Sequence, residues 1–398
     1  MKQSEAFLAR PMLIVTVALV GLNLRPFMTS IGPLVSKIRV GTGLSLQGIA
    51  LLTLLPMMLM GLIAFIGPIV QSMVGERRVV LGALLTICIG CALRFLFPTA
   101  EGLIASAIII GLGVALIQAA FPGIIKREFS QHIGPMMGLY SAMLMGGGAL
   151  GAWLAPVISN ITGLWSLGLA FFTIPAVLAL LSTFIFLPSI VSSTAHLSPV
   201  KTLLKKPRTW LLMLCFGLVN GGYSSVVAWL APSFQDHGWS ISQSGKLLAL
   251  LALSQAASAL SLPILARQYK DRRPWLWFTL FMQFAGFAGL AFIPEFASVL
   301  WAICLGIGLG GCFALTLIVA LDHFEEPSNA GALSALMQGG GFLLAAIPPW
   351  FVAALHDFTG TYKAGWISHL CSVILVIVLV VRLAPRNYKK FTNKSLGE

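Results

Sequence analysis

Long runs of apolar residues, separated by short polar stretches, make up most of the chain. Twelve such runs alternate with segments rich in charged residues, Pro or Gly. The hydrocarbon core of a bilayer is about 30 Å thick, which a helix of roughly 20 residues can cross. The pattern therefore predicts twelve membrane spans, numbered 1 to 12. They cover residues 11–35, 47–71, 79–98, 102–125, 134–159, 164–187, 209–234, 244–266, 275–294, 297–321, 330–354 and 365–384.

The composition agrees with this pattern. Of 398 residues, 58% are hydrophobic and 9% are charged, whereas a soluble domain has about 25% charged residues. So few polar residues cannot cover the surface of a soluble protein of this length. The chain is therefore predicted to be an all-α integral membrane protein.

The distribution of positive charge predicts the orientation. The net charge of +13 would suit a nucleic-acid-binding protein, but Lys and Arg concentrate in alternate loops, as the positive-inside rule requires. With the first residues in the cytoplasm, the outer loops hold only Lys37, Arg39, Lys246 and Lys363. Membrane topology thus accounts for the charge without nucleic acid, and both ends of the chain are predicted to be cytoplasmic.

The two halves of the chain repeat each other. Glu76-Arg77-Arg78 after span 2 matches Asp271-Arg272-Arg273 after span 8, and GLYSAMLMGGG at 138–148 matches GALSALMQGGG at 331–341. Two parallel six-helix repeats form two pseudo-symmetric bundles, which is the major facilitator fold. The predicted units are an N-terminal half at 1–187, a cytoplasmic linker at 188–208 and a C-terminal half with a short basic tail at 209–398.

Two arginines lie inside predicted spans, Arg25 in span 1 and Arg94 in span 3. A charge at the centre of a membrane helix costs about 2.5–3.5 kcal/mol and usually marks a substrate pathway. No Asp or Glu lies deep in any predicted span, so each guanidinium is predicted to attract an anionic substrate. Two alternatives remain: helix carbonyls near Pro26 satisfy Arg25, or Arg94, close to Pro98, reaches the membrane interface.

Six neutral polar side chains gather near mid-membrane, where each can hydrogen-bond a small substrate or tie one helix to its neighbour. Asn23 and Asn220 occupy matching places in the two repeats and are predicted to face a shared cavity. The predicted substrate-binding residues, together with Arg25 and Arg94, are Asn23, Gln118, Asn220, Tyr223, Gln255 and Gln338.

A second set of residues is predicted to act in conformational change. Glycine lets helices pack closely, slide and bend, and direct contact between glycine backbone and substrate is the alternative. The charged loops after spans 2 and 8 resemble degraded forms of a loop typical of major facilitator transporters. The set comprises Gly146, Gly147, Gly148, Gly339, Gly340, Gly341, Arg77, Arg78, Asp271 and Arg272.

The sequence contains no metal-ligand spacing, no P-loop, no nucleophile motif and no dinucleotide fingerprint. It predicts a protein that is not an enzyme and uses neither cofactor nor metal. A membrane sensor that binds a solute without moving it, and a membrane enzyme, are the alternatives from other classes. Proton coupling stays open, because no deep carboxylate points to it.

Five polar motifs, in order along the chain, resemble the cyanate transporter family of the major facilitator superfamily. The resemblance implies uptake of cyanate or a similarly small anion across a bacterial inner membrane by alternating access, by a monomer. It also implies that Arg25, within a Leu-Arg-Pro motif, binds the substrate. The family's wider group includes a 2-nitroimidazole transporter, so a neutral or aromatic substrate is the alternative. The motifs lie at 21–34, 117–129, 137–152, 217–230 and 337–351.

Overall fold

A computed structural model describes residues 2–129, 133–188, 202–324 and 327–385, and they are almost entirely helical. Twelve helical spans in this part of the chain are long and apolar enough to cross a membrane, which confirms the predicted number. Spans 2 to 12 are formed by Leu46–Val74, Glu76–Leu96, Ala100–Glu128, Ile133–Thr162, Trp165–Ala170 with Thr173–Phe186, Pro207–Gln235, Ile241–Ala266, Arg273–Phe292, Ser298–Leu321, Pro327–Thr359 and Lys363–Val380.

Span 1 differs from the single run predicted at 11–35. It consists of three helices, α1 (Lys2–Leu22), α2 (Pro26–Thr29) and α3 (Ile31–Thr42), with an irregular segment between α1 and α2. Most of the predicted linker at 188–208 and the end of the basic tail, from 386, lie outside the described residues. The predicted domain limits therefore stay predictions.

The helices form two bundles that meet along two helix pairs. In the first half, span 1 packs against spans 5 and 6, and span 4 packs against spans 2 and 3. In the second half, span 7 packs against span 11, and span 10 packs against spans 8 and 9. Between the halves, span 2 lies along span 11 and span 5 along span 8. Small residues allow these contacts: a Cβ on Gly245 of span 8 would lie 2.6 Å from the carbonyl oxygen of Ala152 in span 5.

The halves also meet at the end of the bundle where spans 7 and 11 finish, which we call the outer end. Gln235 of span 7 donates from Nε2 to the carbonyl of Pro33 in α3 at 2.8 Å, and Ser36 donates to its Oε1 at 3.3 Å. A Cβ on Gly32 would lie 2.6 Å from the carbonyl oxygen of Val227. The bundle is thus closed at its outer end in this conformation.

At the opposite, inner end, each half carries an ion pair between the start of its third helix and the end of its fourth. Glu76 pairs with Arg127 in the first half, and Arg272 with Asp322 at 3.3 Å in the second. Burial opposes the charge of Arg127, but hydrogen bonds to Glu128 and Glu76 outweigh it and raise the pKa of this guanidinium above its usual value. The acid and the base exchange places between the repeats, while the connection is kept.

A buried histidine joins helices at the inner end of the second half. Arg208 of span 7 donates from Nε to His323 Nε2 at 3.0 Å, and His323 Nδ1 lies 2.6 Å from the carbonyl oxygen of Val319. Because Nε2 accepts a hydrogen bond, the ring is neutral and its Nδ1–H donates to that carbonyl. Burial is the main cause that lowers the pKa of His323 to about 4, and the positive charge of Arg208 adds to it.

This pKa predicts an acid-sensitive contribution to stability. An unfolded histidine titrates near 6.5 and therefore binds a proton at pH 5, while folded His323 does not. Stability is fully present above pH 6.5 and falls as the pH drops towards 4, with a loss of about 2 kcal/mol at pH 5. Thermal unfolding of the detergent-solubilised protein at pH 7 and pH 5 measures this loss. His323→Gln, which keeps one acceptor and one donor, is expected to lose less on acidification; an equal loss in both proteins contradicts the assignment.

Candidate functional site

The break in span 1 has its origin in Pro26. Proline has no backbone N–H, its ring crowds the preceding turn, and the residue before it is disfavoured in the α conformation. Arg25 accordingly has φ −127° and ψ −25°, outside the helical range, and α2 begins at Pro26. Irregular backbone at membrane depth is tolerated where it is enclosed by protein, and Arg25 is only 4% exposed.

Asn23 completes the end of α1. Its side-chain Nδ2 donates to the carbonyls of Leu19 at 2.8 Å and of Pro175 in span 6 at 3.0 Å. An amide nitrogen has two hydrogens, so both are used and only the carbonyl oxygen remains, which repels an anion. These hydrogen bonds favour the alternative in which Asn23 ties helices together at the break, and its contact with a substrate stays a prediction.

Glycines of span 5 form the surface on which the break lies. A Cβ on Gly147 would collide with the carbonyl oxygen of Leu22, the last residue of α1, and one on Gly148 would lie 3.4 Å from Cβ of Arg25. Gly146, their neighbour, has open space around its own Cβ position. The predicted glycine run therefore includes one position that the break requires and one that it does not.

Arg94 holds the other side of the break. Its side chain is completely enclosed, Nη1 donates to the carbonyl of Phe27 in α2 at 2.9 Å, and Nε donates to Ser106 of span 4 at 3.3 Å. The alternative in which Arg94 reaches the membrane interface is therefore wrong. These bonds connect α2 to spans 3 and 4. Its Nη2 has no hydrogen-bond partner among the described residues, and contact of Arg94 with a substrate stays a prediction.

Arg25 lies against an aromatic ring, and two of its three nitrogens have no hydrogen-bond partner among the described residues. Its guanidinium carbon is 4.5 Å from the centroid of the Tyr223 ring in span 7. Arg25 Nε and Nη1 and the hydroxyl of Tyr140 in span 5 are buried and have no hydrogen-bond partner among the described residues. Tyr140 is within electrostatic reach of Arg25, and its ring stacks on Phe121 with centroids 5.5 Å apart. The site is thus a buried cation with one aromatic ring against it and an unpartnered tyrosine hydroxyl within electrostatic reach.

This arrangement has one evident chemical capacity. The contact with Tyr223 stabilises the Arg25 charge by about 0.5–2 kcal/mol, much less than the loss of hydration in a buried site. The in-plane N–H groups and the Tyr140 hydroxyl can each donate to one small anion. Among the described residues, no group of three or more His, Cys, Asp and Glu side chains is placed to hold a metal ion.

The other predicted polar residues are less closely connected to Arg25. Asn220 donates to the carbonyl of Phe216 at 2.8 Å, the same bond to the residue four positions earlier that Asn23 makes in the first half. One of its two amide hydrogens therefore remains available. Gln338 makes two long contacts of 3.5 Å with Ser334. For Gln118 and Gln255 a substrate contact stays a prediction.

The three glycines at 339–341, which were predicted to act in conformational change, face two different helices. Gly339 lies where a Cβ would meet the Phe65 ring of span 2 at 2.8 Å, across the interface between the halves. Gly340 and Gly341 instead face span 7 within their own half. A role of these glycines in motion stays a prediction.

The charged loops make contacts within each half. Arg77 donates to the carbonyl of Phe184 at 2.6 Å, while Arg78 is exposed. Asp271 binds Arg273 at 2.6 Å; hydrogen bonds from this arginine hold the pKa of the Asp271 carboxyl below its usual value. Together with the Arg272–Asp322 pair, these bonds fasten the inner loops to their own bundles, and a gating role for the loops stays a prediction.

Tyr140 is a candidate site residue that the sequence reasoning missed. It lies inside the repeated motif at 138–148, which was interpreted only through its glycines. The matching position of the second repeat is Leu333, so one repeat has a hydroxyl where the other has an aliphatic side chain. This difference between the repeats was the available signal.

Known proteins similar to this chain are transporters. The family model described as Major Facilitator Superfamily matches residues 13–349. The cyanate transport protein CynX of Escherichia coli (strain K12) is 43% identical over 94% of this chain and 97% of its own length. The 2-nitroimidazole transporter of the same organism is 31% identical over 93% of this chain and 94% of its own. A crystal structure of a D-xylose-proton symporter has a TM-score of 0.76 at 16% identity, with 94% and 98% of the two chains covered.

The packing of span 5 against the break in span 1 predicts different effects on stability for substitutions at two neighbouring glycines. Gly147→Ala places a methyl group against the Leu22 carbonyl, which one side-chain rotation cannot relieve. We expect a loss of about 1–3 kcal/mol, typical of overpacking. Gly146→Ala, the matched control, adds the same methyl group to open space and should behave like wild type. Thermal unfolding of the two purified variants measures the difference, and equal stability would show that the break does not depend on this contact.

Proposed function

The chain belongs to the major facilitator superfamily, and on that premise we propose that it moves cyanate or a similarly small anion across the bacterial inner membrane. The resemblance of its motifs to the cyanate transporter family is confirmed by the 43% identity to a cyanate transport protein. The proposal names Arg25 as the residue that binds the anion. It is a carrier function, with no chemical change of the solute.

The observation that carries this proposal is the buried, unsatisfied guanidinium of Arg25. Its Nε and Nη1 have no hydrogen-bond partner among the described residues, and a buried charge without a partner is strongly destabilising. Arginine stays protonated under all relevant conditions, so the charge cannot be relieved by losing a proton. A small anion supplies both the missing charge and the missing hydrogen-bond acceptors.

Alternating access follows from the two-bundle architecture. The outer end is closed by the contact of Gln235 with Pro33, which joins spans 1 and 7. Rocking of the bundles along the span 2–span 11 and span 5–span 8 interfaces exposes a site between them to one side at a time. We propose that Gly339, at one of these interfaces, and the charged inner loops take part in this motion.

The remaining features follow from the same proposal. The chain works as a monomer in the lipid bilayer, with both ends in the cytoplasm, as the loop charges predict. The two halves, 1–187 and 209–398, act as the moving units, connected by the linker at 188–208. Arg94, bonded to Phe27, keeps α2 in place so that Arg25 stays directed between the halves.

A second candidate substrate is a planar aromatic compound such as a nitroimidazole. The Tyr223 ring against Arg25 and the Tyr140–Phe121 pair offer stacking surfaces that a linear triatomic anion does not need. A relative named as a 2-nitroimidazole transporter is 31% identical. Competition between the two classes for the purified protein separates the candidates.

Removal of the Arg25 charge is expected to abolish transport of a small anion. In proteoliposomes, counterflow of labelled cyanate by Arg25→Gln should fall at least about a hundredfold, because a charge-assisted bond contributes on the order of 1.5–3 kcal/mol and several are lost. Arg25→Lys keeps the charge but not the planar donors and should retain an intermediate rate.

Lys246→Gln, which removes an exposed positive charge at the start of span 8, is the matched control and should transport normally. Full activity in both Arg25 variants would refute the proposed site. Wild-type counterflow that a nitroimidazole drives and cyanate does not would identify the second candidate as the substrate.

Tyr140 is expected to increase the affinity for the anion without being required for transport. Tyr140→Phe keeps the stack on Phe121 but removes the unpartnered hydroxyl, so the KM for cyanate should rise about tenfold with little change in maximal rate. Tyr269→Phe, at an exposed tyrosine, is the control. An unchanged KM in Tyr140→Phe would remove this hydroxyl from the site.

A further inference from the structure

His369, in span 12, is a buried imidazole with one unsatisfied nitrogen. It is 4% exposed, and its ring stacks on Phe287 of span 9 with centroids 5.2 Å apart and planes inclined by 26°. Its Nε2 is enclosed and has no hydrogen-bond partner among the described residues. A buried polar atom without a partner is uncommon in folded proteins and calls for an explanation.

The ring lies next to the helix that covers Arg25. A Cβ on Gly222 of span 7 would lie 3.9 Å from His369 Nδ1 and 3.1 Å from the Phe287 ring. The next residue, Tyr223, places its ring 4.5 Å from the guanidinium carbon of Arg25. The imidazole and the guanidinium are thus connected through one short segment of span 7.

The internal repeat gives this location a meaning. Asn23 and Asn220 are equivalent, so Arg25 of the first half corresponds to Gly222 of the second. At that position the second half has no side chain, and the imidazole of His369 and the ring of Phe287 approach the backbone there. The titratable ring of His369 therefore lies beside Gly222, the position in the second half that is equivalent to the permanent cation Arg25 in the first.

The ring's described neighbours carry no charge. Span 12 packs against spans 7, 9 and 11. Apart from Tyr223 and two cysteines, the other titratable groups of these helices lie near the helix ends. His356, at the outer end of span 11, lies 3.5 Å from Asp236. The titratable groups on or beside these helices are Arg208, Cys215 and Tyr223 on span 7, Arg273 on span 9, His356 and Asp357 on span 11, and Tyr362, Lys363, Cys371 and Arg382 on or beside span 12.

We propose that His369 is the proton-binding site of the transport cycle, and that one proton crosses with each anion. The proposal rests on the carrier function assigned above and adds the coupling ion. In each cycle a proton from one side adds to the neutral imidazole, and the same proton leaves on the other side; the anion itself is unchanged. The pair of charges that crosses is neutral overall.

Electrostatics makes this coupling reciprocal. Removal from water disfavours the charged form of a histidine, and Arg25 already places one positive charge in the same core. An anion at Arg25 offsets that charge and favours protonation of His369, and protonation favours the anion by the same factor. Uptake of an anion alone is opposed by a membrane potential that is negative inside, whereas uptake with a proton is not.

Two assays with the full-length protein in proteoliposomes separate transport from coupling. Counterflow of labelled cyanate measures exchange and needs no proton gradient. Accumulation of cyanate driven by an acidic exterior, together with acidification of an internal pH-sensitive dye, measures coupled movement. Cyanic acid can cross bilayers unaided, so protein-free liposomes and Arg25→Gln liposomes set the background.

The variants are chosen to keep packing while removing the proton site. His369→Phe preserves a ring against Phe287, and His369→Gln preserves a polar side chain. Both should retain counterflow within about twofold, independent of pH between 6 and 8, and should lose gradient-driven accumulation at least about tenfold. His356→Gln, at the other histidine in a described span, is the control and should accumulate cyanate like wild type.

Each result decides between the alternatives. Accumulation that survives in both His369 variants overturns the inference. So does wild-type protein that exchanges cyanate in counterflow but shows neither accumulation nor internal acidification under the pH gradient, a result that leaves the carrier function intact. Loss of counterflow in His369→Phe and His369→Gln alike assigns the ring to packing or exchange and also overturns it. Wild-type protein that shows no cyanate counterflow refutes the proposed function itself.

Discussion

Pro26 lacks a backbone N–H, and in a membrane this absence has to be compensated by protein. Water cannot take the place of the missing donor at this depth, so irregular backbone survives only where side chains and neighbouring helices enclose it. Asn23 supplies donors to carbonyls on one side of the break, and Arg94 supplies one to Phe27 on the other. Gly147 lets span 5 approach without a collision. These supports come from spans 3 and 5 and from the end of α1, and together they fix the position of Arg25.

The two intramembrane arginines differ in their hydrogen bonding. Arg94 has no exposed surface and donates from Nη1 to Phe27 and from Nε to Ser106, while its Nη2 has no hydrogen-bond partner among the described residues. Arg25 has an aromatic ring over one face and N–H groups that no described residue accepts. Arg94 is therefore bonded to two other helices, whereas the described residues accept no hydrogen bond from Nε or Nη1 of Arg25. The distinction lies in hydrogen bonding, because residue type, charge and depth are the same for both.

The sequence predicted the fold because the membrane imposes strong, simple rules on it. Span length and loop charge each follow from one physical constraint, and the twelve described helices agree with the predicted spans in number. Arg25 could be singled out for the same reason, as a charge without a carboxylate in its surroundings. The partners of Asn23 and Arg94 could not, since Pro175 and Phe27 offer backbone carbonyls, and every residue type has one. Tyr140 was missed because a buried tyrosine usually finds a hydrogen-bond partner, and only the structure shows that this hydroxyl has none.

The asymmetry between the repeats follows from a difference at one position. Asn23 and Asn220 make the same hydrogen bond in their own helices, yet two positions later the first half has Arg25 and the second has Gly222. Proline follows the arginine and breaks span 1, whereas tyrosine follows the glycine and span 7 continues as one helix. The continuous helix presents Tyr223 to the guanidinium and leaves room beside Gly222 for an imidazole from span 12. A duplicated scaffold has thus acquired a permanent charge on one side and a neutral, titratable surface on the other. A second permanent cation at the position of Gly222 would repel Arg25, because like charges close together in a buried site destabilise each other.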